Sequence, residues 1–243
     1  ENQLKQLEMQ FIATRDRLQN KFGVGKFIVY FQSFTNTYAP FSTLKALYEK
    51  ALSFDNVIGL SIGTRTDCVS DEILDYLADL SKDKEIWVEY GIQSFYDETL
   101  ETINRGDSAE NMRYWINKSK EKGLNVCGHL IYGLPGENQE MMLETFKQTC
   151  ELNVDSIKFH PLYVVKNTLL TNEFRKGRFT PITEELYIDT VVKSIVDLPE
   201  GVSVQRITAG IDDDTLLSPD WCRDKHTQMK NIRLALEKEG LNY

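Results

Sequence analysis

The sequence is short of the residues that build crosslinks and metal centres. It has four cysteines, Cys68, Cys127, Cys150 and Cys222, far apart and with no CxxC pair. That usage excludes a disulfide framework and fits a reducing, cytoplasmic compartment with buried thiols. Only three histidines occur, His129, His160 and His226, and no two have helical metal-ligand spacing. A metal site made by these residues alone is not expected. No run of eighteen apolar residues is present, so no membrane span is expected. No basic-then-apolar segment opens the chain. Positive charge is in deficit, with 28 basic against 37 acidic residues and a net charge of −9. Such a chain does not attract phosphate backbones over its whole surface, so a small molecule or a protein is favoured over nucleic acid as substrate. GxGxxG, a P-loop, low-complexity segments and short-period repeats are all absent.

What is present is an alternation of strand-like and helix-like segments. The 243 residues, 41% of them apolar, suffice for one α/β domain with an extension. Helices are expected over 2–22, 42–52 (Ser42 as cap), 70–81 (Ser70 as cap), 96–104, 108–122 and 138–152. Strands are expected over 26–34, 56–64, 86–92, 125–133 and 156–164. Five strands with helices between them imply a parallel sheet with crossover helices. After residue 180 the rhythm changes: a loop over 174–181, a helix capped by Thr183, a short strand over 202–208, a polar loop IDDDTLLSPD, and a helix over 221–239. Residues 181–243 therefore read as an α+β extension of a domain covering 1–180. Trp221 is expected to anchor that extension. Asp212, Asp213 and Asp214 read as a solvated turn.

In each strand one alternate set of side chains carries polar groups, mostly toward the carboxyl end, where parallel sheets collect ligands. The segment IWVEYGIQSF puts Glu89 and Gln93 on one side, opposite Val88, Tyr90 and Ile92. Gln32, Arg65, Glu89, Gln93, His129, Lys158 and His160 are in phase on five strands and are expected to line one cavity. A buried Glu89 needs a partner, for which Arg65 and Lys158 are candidates. YGLPGE follows a strand and precedes a helix, and Gly133 there would let a flat ligand approach the backbone. Asn104-Arg105-Gly106-Asp107 breaks a helix and offers Arg105 as a carboxylate clamp or as a solvated charge.

The segments KFIVYFQSFTNTYAP, GLSIGTRTDC, EYGIQSF…LETINRGDS and GHLIYGLPGE together resemble the radical S-adenosylmethionine (SAM) superfamily. The likeness is to a bacterial branch near the Elongator-type and oxygen-independent coproporphyrinogen oxidase-like groups, and it covers about residues 20–180. It implies a partial (β/α)6 barrel. It also implies a [4Fe–4S] cluster held by CxxxCxxC, SAM bound at the cluster, and an electron donor that triggers formation of a 5′-deoxyadenosyl radical, which abstracts hydrogen from a substrate. By position, Gln32, Ser33 and Thr35 stand where relatives have a glycine-rich loop near the methionyl amine. Gln93 resembles a glutamine that contacts ribose or carboxylate, and Arg105 an arginine that binds the methionyl carboxylate. The backbone around Ile131 and Gly133 resembles the strand that meets adenine. Arg65 and Glu89 fit the pocket with their roles open. CxxxCxxC itself is absent. The chain starts at Glu1 inside a helical pattern, so the cluster-binding first strand is expected upstream, and this fragment is expected to lack the cluster and radical activity.

Two other readings compete. A metal-free barrel lyase or aldolase would use Lys158 as a Schiff-base nucleophile, with Glu89 or His160 carrying the proton. A non-catalytic scaffold would use residues 181–243 to bind a partner.

Overall fold

A computed structural model describes residues 2–241. Helix α1 (Asn2–Phe22) leads into β1 (Phe27–Phe31), α2 (Phe41–Leu52), β2 (Val57–Thr64), α3 (Asp71–Leu80) and β3 (Glu85–Gln93). Next come α4 (Asp97–Thr102), α5 (Ala109–Glu121), β4 (Asn125–Tyr132), α6 (Gln139–Glu151), β5 (Ser156–Pro161) and the two-residue β6 (Val164–Val165). Helices α7 (Leu169–Arg175) and α8 (Glu184–Val196), strands β7 (Ser203–Arg206) and β8 (Leu216–Ser218) and helix α9 (Lys225–Lys238) complete the order. The main sheet runs β1-β2-β3-β4-β5-β7, and β6 pairs with β8 in a separate antiparallel ribbon. The α/β class with crossover helices is therefore as expected. The sixth strand, β7, comes from the segment anticipated as an extension and pairs parallel with β5.

Two compact units divide the chain. The first comprises the residues up to Gly91 together with Tyr114–Cys127. Its β1–β2 and β2–β3 ladders are parallel and align Tyr30 with Ser61, Ser61 with Trp87, and Gly63 with Glu89. Helix α3 starts because Ser70 accepts a hydrogen bond from the Ile73 amide, as expected of this cap. Its Leu74 and Leu77 are fully buried, each worth roughly 1.5–3 kcal/mol relative to exposure. Helix α2 corrects the expected cap. It begins at Phe41 with Pro40 as N-cap, and the Pro40 carbonyl accepts from Thr43 and Leu44. The fixed φ of proline presets the turn, so Ser42 is already helical.

The second unit comprises Ile92–Arg113 and the residues from Gly128 on. Its core is aromatic: Tyr132 and Phe159 lie 5.3 Å apart, and Tyr187 and Trp221 likewise. Buried hydroxyls are satisfied, Tyr132 by Ser194 at 2.7 Å and Tyr187 by the Ile207 carbonyl at 2.8 Å. The Trp221 indole donates to the Ile182 carbonyl, which makes it the anchor expected of it. Thr183 caps α8 as expected. Two expectations fail here. Residues 174–181 are not all loop, since α7 runs to Arg175 from a Thr168 cap. IDDDTLLSPD is not all loop either, since it contains β8.

Candidate active site

In the first unit the chemistry centres on Glu89. It is 2% exposed, on the β3 face shared with Tyr30 of β1 and Ser61 of β2. The Tyr30 hydroxyl donates to Oε2 at 2.8 Å, and the Ser61 hydroxyl donates to Oε1. Each carboxylate oxygen thus has a hydroxyl donor, one from β1 and one from β2, which offsets the cost of burying the acid. Arg65, expected beside Glu89, follows β2 and forks onto Asp67 at 2.7 and 2.6 Å. The short loop to Asp67 brings that carboxylate within reach of the guanidinium plane.

Gln32 and Ser33 do not continue the strand. β1 ends at Phe31, and both residues are exposed in the following bend. Asn36 closes this bend, its amide donating to the Phe31 and Gly63 carbonyls at 3.0 and 2.9 Å. Thr37 bonds Thr64 and the Cys68 carbonyl, and Tyr48 donates to the Asn36 carbonyl. Asn36 and Thr37 thus order the loop at the β1 and β2 ends. The NT pair in TNTYAP, a turn-forming amide followed by a hydroxyl, was the available signal.

In the second unit Gln93 ends β3 with φ +71°, a left-handed conformation rare for a residue with a side chain. Its Oε1 is buried and has no hydrogen-bond partner among the described residues. Arg105 sits where the sequence placed it, in the break between α4 and α5, flanked by Asn104 and Gly106 in positive φ. Ile131 lines a mostly apolar cavity of about 480 Å³ with Asn104, Leu134, Pro135, Leu162 and Phe179 among its walls. Gly133 has φ +91°. A Cβ there would lie 2.7 Å from the Ile182 side chain, so Ile182 occupies the approach that the sequence left to a flat ligand. Glu137 of the same turn accepts from Ser94, and burial raises its pKa above the ordinary carboxylate value.

Farther along, Lys158 is 8% exposed on β5 and lies opposite Arg206 of β7. His160 follows on the same face. Its Nδ1 bonds the Pro161 carbonyl at 2.7 Å. Burial, then Arg206, then His129 pull its pKa down to about 4, so the imidazole is neutral at pH 7. His129 is half-buried on β4. Asp213 accepts from Thr215 and is solvent-exposed, in keeping with the solvated turn expected for the aspartate run. No described helix is long and apolar enough to cross a membrane.

The Radical SAM superfamily model matches residues 10–149, and the Radical_SAM C-terminal domain model matches residues 154–238. The uncharacterized protein YtqA of Bacillus subtilis (strain 168) is 36% identical over 239 residues, which cover 98% of this chain and 74% of YtqA. Protein YhcC of Escherichia coli (strain K12) is 38% identical over 218 residues, covering 89% of this chain and 70% of YhcC. The solved structure of Elp3 from the archaeon Methanocaldococcus infernus, with an N-terminal deletion, matches with a TM-score of 0.83 at 24% identity. That match covers 97% of this chain and 60% of the Elp3 chain, so this chain spans less than two thirds of it. The shared fold bears out the partial-barrel class expected from the sequence.

Proposed function

Since this chain belongs to the radical SAM superfamily, we propose that it forms the SAM-binding body of an enzyme that abstracts hydrogen from a substrate. The observation that carries the SAM site is Gln93. Its amide oxygen is buried, on strained backbone, without a partner among the described residues. Burial of an unmatched polar atom costs about 1–3 kcal/mol, and such costs collect where a ligand later supplies the partner. A ribose hydroxyl or the methionyl ammonium would supply it. Arg105 is assigned the methionyl carboxylate, which a planar guanidinium matches with two parallel hydrogen bonds. The apolar cavity beside Ile131 has the size and lining for a purine ring. Gln32 and Ser33 are both exposed in the first unit and are given no part in this site.

The cluster does not fit this chain's own thiols. The four cysteines lack the CxxxCxxC spacing. Burial pushes the Cys150 thiol up to about 11 and the Cys222 thiol up to about 12, away from the thiolate that iron requires. Its ligands are therefore assigned to residues other than these four. When bound, cluster and SAM supply the one-electron chemistry, with an electron donor as partner. The residues of this chain hold the nucleoside, keep Glu89 fixed between two hydroxyls, and exclude water. The four thiols are outside any disulfide among the described residues, and the reading takes the setting as reducing and cytoplasmic.

The test has two arms. Calorimetric titration of this chain with S-adenosylhomocysteine should give one-to-one binding, weakened about tenfold by Gln93→Ala, the ~1.4 kcal/mol of one buried hydrogen bond. The full-length gene product, prepared without oxygen, should carry iron and sulfide and release 5′-deoxyadenosine from SAM. Failure of both arms would remove the reading.

A further inference from the structure

The carboxyl ends of β5 and β7 hold a basic cluster that the SAM site does not use. Lys158 and Arg206 are opposite each other in the parallel ladder, just past a shift in its register. His160 lies two residues beyond Lys158, on the same face of β5. Arg206 is the last residue of β7 and is half-buried. Its Nε reaches the Phe159 carbonyl at a long 3.4 Å, and no carboxylate pairs with it among the described residues. A guanidinium carries five donors in a fixed fork, so most of this fork is unspent. In a chain of net charge −9, with acids plentiful, a half-buried arginine without one stands out.

His160 adds an acceptor. A carbonyl can only accept, so the 2.7 Å contact to Pro161 makes Nδ1 the donor. Nε2 then carries the lone pair, and it makes no hydrogen bond among the described residues. The Tyr163 ring lies 4.9 Å from the imidazole and forms one wall. The Phe159 carbonyl that Arg206 reaches belongs to the residue just before His160, which puts the guanidinium beside this part of β5.

We propose that this strand-end cluster binds the substrate through an oxyanionic group, a carboxylate or a phosphate, held by the Arg206 fork, while His160 Nε2 accepts a hydrogen bond from a neighbouring hydroxyl or amine of the same molecule. The proposal rests on the radical SAM reading, for which it names the substrate class: small hydroxy or amino acids and their phosphorylated counterparts. The oxyanion fits because a guanidinium presents two parallel N–H groups to two oxygens. The adjacent donor fits because a neutral imidazole whose other nitrogen is engaged can only accept.

The test is a titration of the chain, followed by NMR at the Arg206 Nε–Hε and His160 ring signals. The probes are acetate, glycolate, inorganic phosphate and, as a neutral control, acetamide. Acetate or phosphate should shift the Arg206 signal saturably and acetamide should not, and the stronger of the two identifies the oxyanion. Glycolate, which adds a hydroxyl to acetate, should bind about threefold or more tighter than acetate. That advantage should vanish in His160→Phe. Arg206→Gln should weaken binding at least tenfold, and Arg206→Lys, which keeps charge but not the fork, should fall between. Circular dichroism establishes that each variant is folded, and Arg206→Lys carries the comparison if Arg206→Gln is not. No saturable shift with any anion, or equal affinity in wild type and Arg206→Lys, overturns the proposal. The same samples are titrated with S-adenosylhomocysteine. Retained nucleoside binding without anion binding sinks this inference alone, whereas anion binding without nucleoside binding sinks the SAM site instead.

Discussion

The Tyr30 hydroxyl donates to Glu89 Oε2 at 2.8 Å, across 59 positions of sequence. The bond passes over β2, whose Ser61 donates to the other carboxylate oxygen, so three adjacent strands meet on one acid. Tyr30→Phe should lower stability by about 1 kcal/mol and Ser61→Ala by about 1–3 kcal/mol, the larger cost falling on the more buried bond. Glu89→Ala, which leaves two hydroxyls without their acceptor, should cost more than either. Urea unfolding of the three variants measures this. A Tyr30→Phe protein as stable as wild type would mean that water replaces the hydroxyl without loss.

Gln93 joins strain to a buried, unmatched oxygen, so stability and ligand binding should pull apart there. Gln93→Gly relieves the left-handed backbone at φ +71° and removes the amide oxygen that has no partner among the described residues. It should raise the unfolding free energy by up to about 1 kcal/mol, net of the greater freedom of glycine in the unfolded chain. The same variant should bind S-adenosylhomocysteine about tenfold more weakly. Loss of stability without loss of binding would make Gln93 a structural residue.

What the sequence revealed of this site depended on how far each signal reaches. Alternation in β3 placed Glu89 and Gln93 on one side because a strand turns its side chains with period two. It misjudged β1, since nothing in KFIVYFQSF marks the stop at Phe31. The stop comes from Asn36, whose amide binds the Phe31 and Gly63 carbonyls and turns the chain. Gln32 and Ser33 were thus counted on a strand they do not belong to. Phase alone offered Arg65 to Glu89, and the fork of Arg65 onto Asp67, two residues on, is a contact that phase does not reveal. The strands β6 and β8 have two and three residues, too few for any period to show. Helix α7 was hidden by the glycine and charges after it, although Thr168 before two leucines is a helix start. The Arg206 cluster needed the β5–β7 pairing, which joins residues that no local pattern connects.

Gly133 tests whether its small size serves packing. At φ +91° any side chain is strained, and a Cβ would sit 2.7 Å from both Cβ and Cγ2 of Ile182. Gly133→Ala should destabilise by about 2–4 kcal/mol, the sum of backbone strain and overpacking. Adding Ile182→Ala removes the Cγ2 clash but keeps the Cβ clash, so the pair should recover only part of the loss. Full recovery would assign the whole cost to the isoleucine branch, and no recovery would assign it to the backbone. Thermal unfolding of the single and double variants separates these outcomes.

His160 should set part of the acid limb of stability. Its folded pKa, about 4, lies below the ordinary 6.5 because of burial, then Arg206, then His129. Between these values the unfolded chain binds a proton that the folded chain refuses. Stability therefore falls as pH drops from about 6.5 to about 4, is unaffected by this group above that window, and levels off with respect to it below. That lowering corresponds to at most on the order of 3 kcal/mol. Carboxylates begin to titrate in the same range, so the informative quantity is the difference between wild type and His160→Asn, which keeps a donor for the Pro161 carbonyl but cannot charge. Unfolding free energies from pH 7 to 4.5 should converge for the two proteins as pH falls, or cross, with wild type losing more. Arg206→Gln should shrink the same difference, because it removes the leading charge that opposes protonation. Parallel pH profiles for wild type and His160→Asn would show that His160 titrates alike in the folded and unfolded chain, and a cationic neighbour at this strand end would then be ruled out.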